Sequence, residues 1–223
     1  MKNKILVGIE ALDFLEREGF PVLKSKLVKT ENEAVSCAKE IGFPVVLKIS
    51  CEKVIHKTDM GGVIIGAVNE EAVRKGFNDL LKRFSSVIGD RESDGIIVQE
   101  YGIGFELIIG VYKDQQFGPV IMLGSGGIYA EDISDVTFRL LPIKIKDAEL
   151  MIQDLTASKI LFSTRRRINV NILKKFLVKV SNFVSKKPLI IEMDLNPIFV
   201  SREIRICDAR LRFGDIQSNN LWF

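Results

Sequence analysis

Short apolar runs rich in β-branched residues alternate with helix-patterned stretches along the whole chain, and this alternation restricts the possible folds more than any other feature. Strands are expected at Val22–Val28, at Val45–Ile49 after Pro44, and at Val63–Val68, Ile96–Tyr101, Phe105–Tyr112 and Val120–Leu123. Between them lie helical signals. Thr30-Glu31-Asn32-Glu33 has the capping-box pattern, followed by Ala34, Cys37, Ala38 and Ile41 on one face and Gly42 as terminator. Asn69 is a plausible N-cap for a helix that turns Val73, Phe77, Leu80, Leu81 and Phe84 inward. Ile5, Ile9, Leu12 and Leu15 follow helical spacing, so the first residues read as an amphipathic helix stopped at Gly19. After Pro142, Asp147 is expected to cap Ala148–Ile160, and Leu173–Val184 form a further helix. The chain closes on two strands, Leu189–Val200 and Ile204–Arg212, with an unplaced tail at 214–223. This is an interleaved α+β chain, expected to have two lobes with a boundary near Gly102–Gly104.

Charge and rare residues remove several function classes. Between Leu155 and Ile191 stand nine basic residues and no acid, so the net charge of +3 hides a remainder at −6. That segment lacks interleaved surface aromatics, which argues for a solvated or partner-facing helix and against nucleic acid. Three cysteines, Cys37, Cys51 and Cys207, show no Cys-x-x-Cys spacing, which supports neither a disulfide framework nor structural zinc and suggests a reducing, cytoplasmic setting. No apolar run reaches the ~18–20 residues needed to span a bilayer. The single histidine, His56, excludes a multi-histidine metal site.

The residues that could carry chemistry lie beside strands. There is no Gly-Lys-Ser/Thr, and Gly124–Tyr129 fails the dinucleotide fingerprint because its sixth position is Tyr129. The turns at Gly61-Gly62 and Gly124/Gly126/Gly127 can cradle an anion or simply turn the chain. Lys48 interrupts an apolar strand; it either faces outward or meets an anion. His56 sits in a polar loop just before Gly61-Gly62, where a neutral imidazole can accept a phosphoryl group. In the last hairpin, Glu192, Asp194 and Asn196 share one strand face. A three-residue loop at Ser201–Glu203 pairs Val200 with Ile204 and therefore sets Asn196 opposite Asp208, with side chains about 5 Å apart. An amide beside a carboxylate offers hard oxygen ligands for Mg²⁺. A two-residue loop would shift this register, and an ordinary half-exposed hairpin remains the alternative.

Taken in order, Phe43–Ile49, Ile55–Val63, Val98-Gln99-Glu100, Glu106–Gly110, Phe117–Val120, Gly126–Ile128 and Asp194-Leu195-Asn196-Pro197 resemble the β subunits of ADP-forming acetyl-CoA synthetases. Those are ATP-grasp modules related to the β subunit of succinyl-CoA synthetase. The resemblance runs from about Ala11 to Phe213. It implies one ATP-grasp domain over 1–213, with lobe one at about 1–101 and lobe two at about 102–213 clamping a nucleotide. By the same resemblance, Lys48 contacts nucleotide phosphates under the Gly61-Gly62 turn, Glu100 and Tyr101 form the hinge around adenine, and Glu106 lies near the ribose. Asn196 and Asp208 become the Mg²⁺ ligands, and His56 the phosphoryl carrier. Glu131 matches a residue of the loop near the phosphohistidine route, and Arg139 an arginine of the next strand.

The implied activity is that of an acid–thiol ligase: acyl-CoA, ADP and phosphate give carboxylic acid, ATP and CoA. A separate CoA-binding α subunit completes it, in a heterotetramer. A direct carboxylate-activating ATP-grasp ligase and a non-catalytic nucleotide sensor are the rival readings. The second draws on a departure: a Gly-x-Arg-Gly segment of the family is here Ser163-Thr164-Arg165-Arg166, an expected aspartate is Asn171, and Ser-Pro is Ser50-Cys51.

Overall fold

The computed structural model describes residues 4–50, 60–86, 95–127, 135–161 and 168–214. The chain forms two compact units, one of Leu23–Gly102 and one of Met1–Val22 with Ile103–Phe223.

The inserted unit, Leu23–Gly102, is a four-stranded antiparallel sheet in the order β2-β5-β3-β4, with β2 Ser25–Val28, β3 Val45–Ser50, β4 Val63–Ala67 and β5 Gly95–Glu100. Helices α2 (Glu31–Ile41) and α3 (Glu70–Phe84) supply its core together with Val45, Leu47, Ile49, Ile96 and Val98. Both helix starts form as their sequences require. Thr30 Oγ1 accepts from Glu33 N–H while the Glu33 carboxylate accepts from Thr30 N–H, and Asn69 Oδ1 accepts from Ala72 N–H at 2.8 Å. Gly76 lets α3 lie close on the sheet, since a Cβ there would come within 2.7 Å of Leu47 Cδ1.

The flanking unit is built on a sheet ordered β1-β11-β9-β6-β7-β8, with β10 paired to β9, all antiparallel. Its strands are β1 Lys4–Val7, β6 Phe105–Asp114, β7 Gly118–Ser125, β8 Val136–Leu140, β9 Ile190–Val200, β10 Ile204–Ile206 and β11 Ala209–Phe213. The longer helices α1 (Ile9–Arg17), α4 (Ile145–Asp154) and α6 (Val170–Ser185), with the short α5 (Ser158–Leu161), complete it. Leu12, Leu15, Met151, Ile152, Leu173, Leu177 and Val180 pack with Leu107, Ile109, Ile121, Leu123, Met193 and Leu195. The opposite sheet face therefore carries Glu106, Gly110, Tyr112, Met122, Glu192 and Asp194, by strict alternation.

Three expectations change. Residues Lys4–Val7 are a strand, because Ile5-Leu6-Val7 pairs with Leu211 and its neighbours, and Gly8 at φ 56° breaks the chain before the helix begins at Ile9. That pairing moves Met1–Val22 out of the lobe expected at 1–101 and into the C-terminal unit. Asp147 lies inside α4 instead of ahead of it, its carboxylate accepting from Lys144 N–H at 2.7 Å, and the helix ends at Asp154.

The basic segment is partly neutralised by tertiary contacts. Lys174 pairs with Glu149 at 3.4 Å and Lys187 with Glu18 at 2.6 Å, while Lys179 donates to the Gly19 carbonyl and lies 4.7 Å from the Phe20 ring centroid. Among the described residues no helix is long and apolar enough to cross a membrane.

Candidate functional site

In the inserted unit, Lys48 projects from β3 on the face turned away from α2 and α3, between its ladder partners Ile97 and Val63. Val46 and Gln99, on that same face, are buried, so the strand is not simply half solvent-exposed. Gln99 Nε2 donates to Ser25 Oγ at 2.8 Å, and Ser25 Oγ donates to the Leu23 carbonyl at 2.8 Å. Glu100 is tied to the other end of the unit: its N–H donates to Lys24 O at 2.8 Å and its carboxylate accepts from Lys24 N–H at 3.1 Å. Tyr101 follows with its side chain exposed. Gly61 sits at φ 67°, a backbone that L-residues avoid, and the Gly62 carbonyl accepts from Ile49 N–H at 2.8 Å.

In the flanking unit, Val200 pairs with Ile204 and Ala209 with Leu195, so Asn196 and Asp208 are register partners; Asn196 N–H donates to Asp208 O at 3.1 Å. Regular pairing fails on both sides of this point. On the β6 side, Leu107 pairs with Ile198 but Ile109 with Leu195, so Asn196 and Pro197 together oppose Ile108. This bulge shifts the buried parity from Met193 and Leu195 to Ile198 and Val200 and re-aims Asn196, whose side chain is exposed. On the other side the ladder lapses at Cys207–Asp208, between β10 and β11.

Asp194 belongs to the same face, opposite Gly110 on one side and Arg210 on the other. Burial, then the nearby charges of Asp208 and Glu192, push its carboxyl up to about 6, with Arg210 opposing weakly. Glu192 itself is paired with Arg212 at 3.1 Å. Asp208 Oδ1 accepts from Ala209 N–H at 2.8 Å. Carboxylates that repel one another beside an exposed amide fit a divalent cation that takes few protein ligands, and Mg²⁺ characteristically takes one or two and completes its shell with water and phosphate. The alternation of Glu192 and Asp194 with buried Met193 and Leu195 is the signal in the sequence that puts Asp194 on this face.

Glu106 lies on the same face, opposite Phe199. Its carbonyl accepts from Gly126 N–H at 2.9 Å, and a Cβ on Gly126 would stand 2.9 Å from the Glu106 carbonyl carbon, so only glycine fits. Gly127 follows at φ 89°.

Arg139, which the resemblance matches to an arginine of the strand after the loop, lies in β8. It pairs with Ile121, a core residue, and so lies on the helix-covered side of β8. Its guanidinium donates to Thr137 Oγ1, to the Phe138 carbonyl at 2.7 Å and to the Asp154 carboxylate of α4. These contacts tie strand to helix, on the other face from Asp194 and Asn196. His56, Glu131 and the Ser163–Arg166 segment lie outside the described residues. Asp135, unnoticed in the sequence, closes the end of β7: it accepts from Ser125 Oγ and from the N–H groups of Thr156 at 2.7 Å and Ala157 at 3.0 Å.

Residues 1–213 match the family model of the ATP-grasp domain, and the chain belongs to the ATP-grasp family. Within it, the chain is 39% identical over 214 residues to the β subunit of acetate–CoA ligase [ADP-forming] I of Pyrococcus furiosus, covering 94% of this chain and 92% of that protein. It is also similar to solved structures of acetyl-coenzyme A synthetase 1 of Ca. Korarchaeum cryptofilum. One, with coenzyme A and Ca-AMPCP, superposes at a TM-score of 0.86 with 40% identity, covering 95% of this chain and 94% of that one. Another contains coenzyme A and Mg-AMPPCP, with its phosphohistidine segment pointing towards the nucleotide site; it gives a TM-score of 0.80 with 37% identity, covering 95% and 93%. Other relatives carry the matching region as 31% of a longer chain.

Proposed function

We propose that this chain is the nucleotide-binding subunit of an ADP-forming acyl-CoA synthetase, making ATP from ADP with a phosphoryl group that originates in acyl-CoA and phosphate. The observation that carries the reading is the pairing of Asn196 with Asp208 beside Asp194, in a chain 39% identical along nearly its full length to such a β subunit. Asn196 and Asp208 would hold Mg²⁺, which supplies neutralisation of phosphate charge when bound. Lys48 contributes positive charge from the inserted unit, and the Gly61–Gly62 turn contributes backbone N–H groups to the phosphates. The Glu100 carboxylate is engaged by Lys24 N–H, so the hinge at Glu100–Tyr101 recognises adenine through its backbone. Glu106 faces the ribose.

His56 is the carrier in this reading. Its ring nitrogen takes the phosphoryl group, and an oxygen of the ADP β-phosphate then attacks phosphorus, breaking the P–N bond, forming the P–O bond of ATP and returning the electron pair to the imidazole. Because the chain is similar to proteins named as β subunits, it works with a partner subunit. That partner is a CoA-binding α subunit, and the complex is a heterotetramer.

The test is reconstitution with a CoA-binding partner and measurement of ATP formed from acetyl-CoA, ADP and phosphate. The expected result is activity only in the mixture and its loss in His56→Ala, with Mg·ADP binding retained. An undiminished rate in His56→Ala, or ATP synthesis by this chain unaided, refutes the proposal.

A further inference from the structure

The Gly61–Gly62 turn is held from behind by a side chain with no assigned role. Arg83 lies in the last turn of α3, whose neighbouring residues Leu80 and Phe84 are buried in the core of the inserted unit. Its guanidinium donates to the carbonyl of Gly61. No carboxylate among the described residues pairs with it.

The geometry of a trans peptide gives this contact a directional consequence. The carbonyl of Gly61 and the N–H of Gly62 belong to one planar unit and point in opposite directions. Arg83 therefore fixes the direction of the Gly62 N–H, aiming it away from α3. The next peptide is fixed in the same way, because the Gly62 carbonyl accepts from Ile49 N–H at 2.8 Å. Among the described residues, neither the Gly61 nor the Gly62 N–H has an acceptor. A cationic donor on a carbonyl also polarises its peptide and makes the N–H at the far end a stronger donor. Glycine at 61 is required by the clamp as well as by φ, since a Cβ there would fall on the Arg83 guanidinium.

We propose that Arg83 is a positioning residue that clamps the Gly61–Gly62 turn with the Gly62 N–H presented to the phosphates of the bound nucleotide. The proposal rests on the nucleotide-binding reading above. Arg83 acts through the turn and does not itself touch the nucleotide.

The test is calorimetry on the full chain with Mg·ADP and, separately, with adenosine, which lacks phosphate. Arg83→Gln is expected to weaken Mg·ADP binding about tenfold, the scale of one lost charge-assisted hydrogen bond, with adenosine affinity changed less than about twofold. Arg83→Lys, which can donate to the same carbonyl, is expected to recover most of the loss. Unchanged Mg·ADP affinity in Arg83→Gln overturns the proposal. So does an equal loss for both ligands, which would mark general damage to the inserted unit, or Arg83→Lys behaving no better than Arg83→Gln. A wild-type chain that binds neither ligand overturns the nucleotide reading and the clamp with it, whereas a wild-type chain that binds both isolates the outcome to Arg83.

Discussion

Replacing Gly126 with alanine tests whether the close approach of the Gly126–Gly127 segment to Glu106 holds this part of the sheet together. A Cβ at position 126 would stand 2.9 Å from the carbonyl carbon of Glu106 and 3.0 Å from its Cβ and its oxygen. Glu106 cannot retreat, because β6 is hydrogen-bonded between β7 and β9. The new methyl therefore strains the backbone, which typically costs about 1–3 kcal/mol. It also threatens the 2.9 Å hydrogen bond from Gly126 N–H to Glu106 O, a further loss of about 1 kcal/mol. Restricting the unfolded chain returns about 0.4–1 kcal/mol. The net is about 1–3 kcal/mol, or a fall in melting temperature of roughly 3–10 °C for a chain of this size. Gly110→Ala is the internal comparison. Its Cβ would meet Met122 Cε at 3.3 Å, the far end of a flexible side chain, so its cost should stay within about 1 kcal/mol. Thermal melts of the two variants in one buffer decide the matter. Equal melting temperatures, or a Gly126→Ala chain more stable than wild type, would refute the steric reasoning.

Asp208→Asn removes one of the mutually repelling carboxylates beside Asp194. In EDTA above neutral pH it should melt at or above wild type, yet lose the magnesium-dependent rise in melting temperature that Mg·ADP gives the native chain; an undiminished rise would exclude Asp208 as a ligand. Asp135 bears on pH. Burial raises its carboxyl, but hydrogen bonds from Ser125 and from the N–H groups of Ala157 and Thr156 outweigh this and hold it below its usual value of 3.8. A depressed folded value means stability present at neutral pH and lost as the pH falls below the ordinary carboxylate range. Asp135→Asn should thus melt below wild type at pH 7, with the gap closing between about pH 4 and the lower folded value; a gap independent of pH would count against this.

Local rules were readable where a few adjacent residues decide the outcome. Thr30 and Asn69 cap helices because their side chains reach amides only three residues away, and nothing distant competes. The register that joins Asn196 to Asp208 was readable because the Ser201–Glu203 turn fixes it. What escaped depends on partners far along the chain. Ile5-Leu6-Val7 shows helical spacing with Ile9 and Leu12, and it becomes a strand only because β11 offers an edge about two hundred residues later. The parity of Arg139 is invisible without the β7–β8 register, which pairs it with the core residue Ile121. The bulge at Asn196–Pro197 left only a proline as its signal. Asp194 was visible as one of an alternating set, but its raised pKa arises from burial and from Asp208, both products of folding.

The pairing of β1 with β11 also orders events during synthesis. Residues 23–102 can close their own core as soon as they leave the ribosome, and Lys24 and Glu100 exchange hydrogen bonds at the two ends of that unit. The other sheet must wait, because its strand Lys4–Val7 is made about two hundred residues before β11 and meets that partner only after Phe213 has emerged. Until then Ile5 and Val7 lack their β11 partner, so a segment made long before that partner is protected late. A ribosome stalled after residue 102 has emerged and before residue 209 is made would hold a chain with a finished small unit and an open large one.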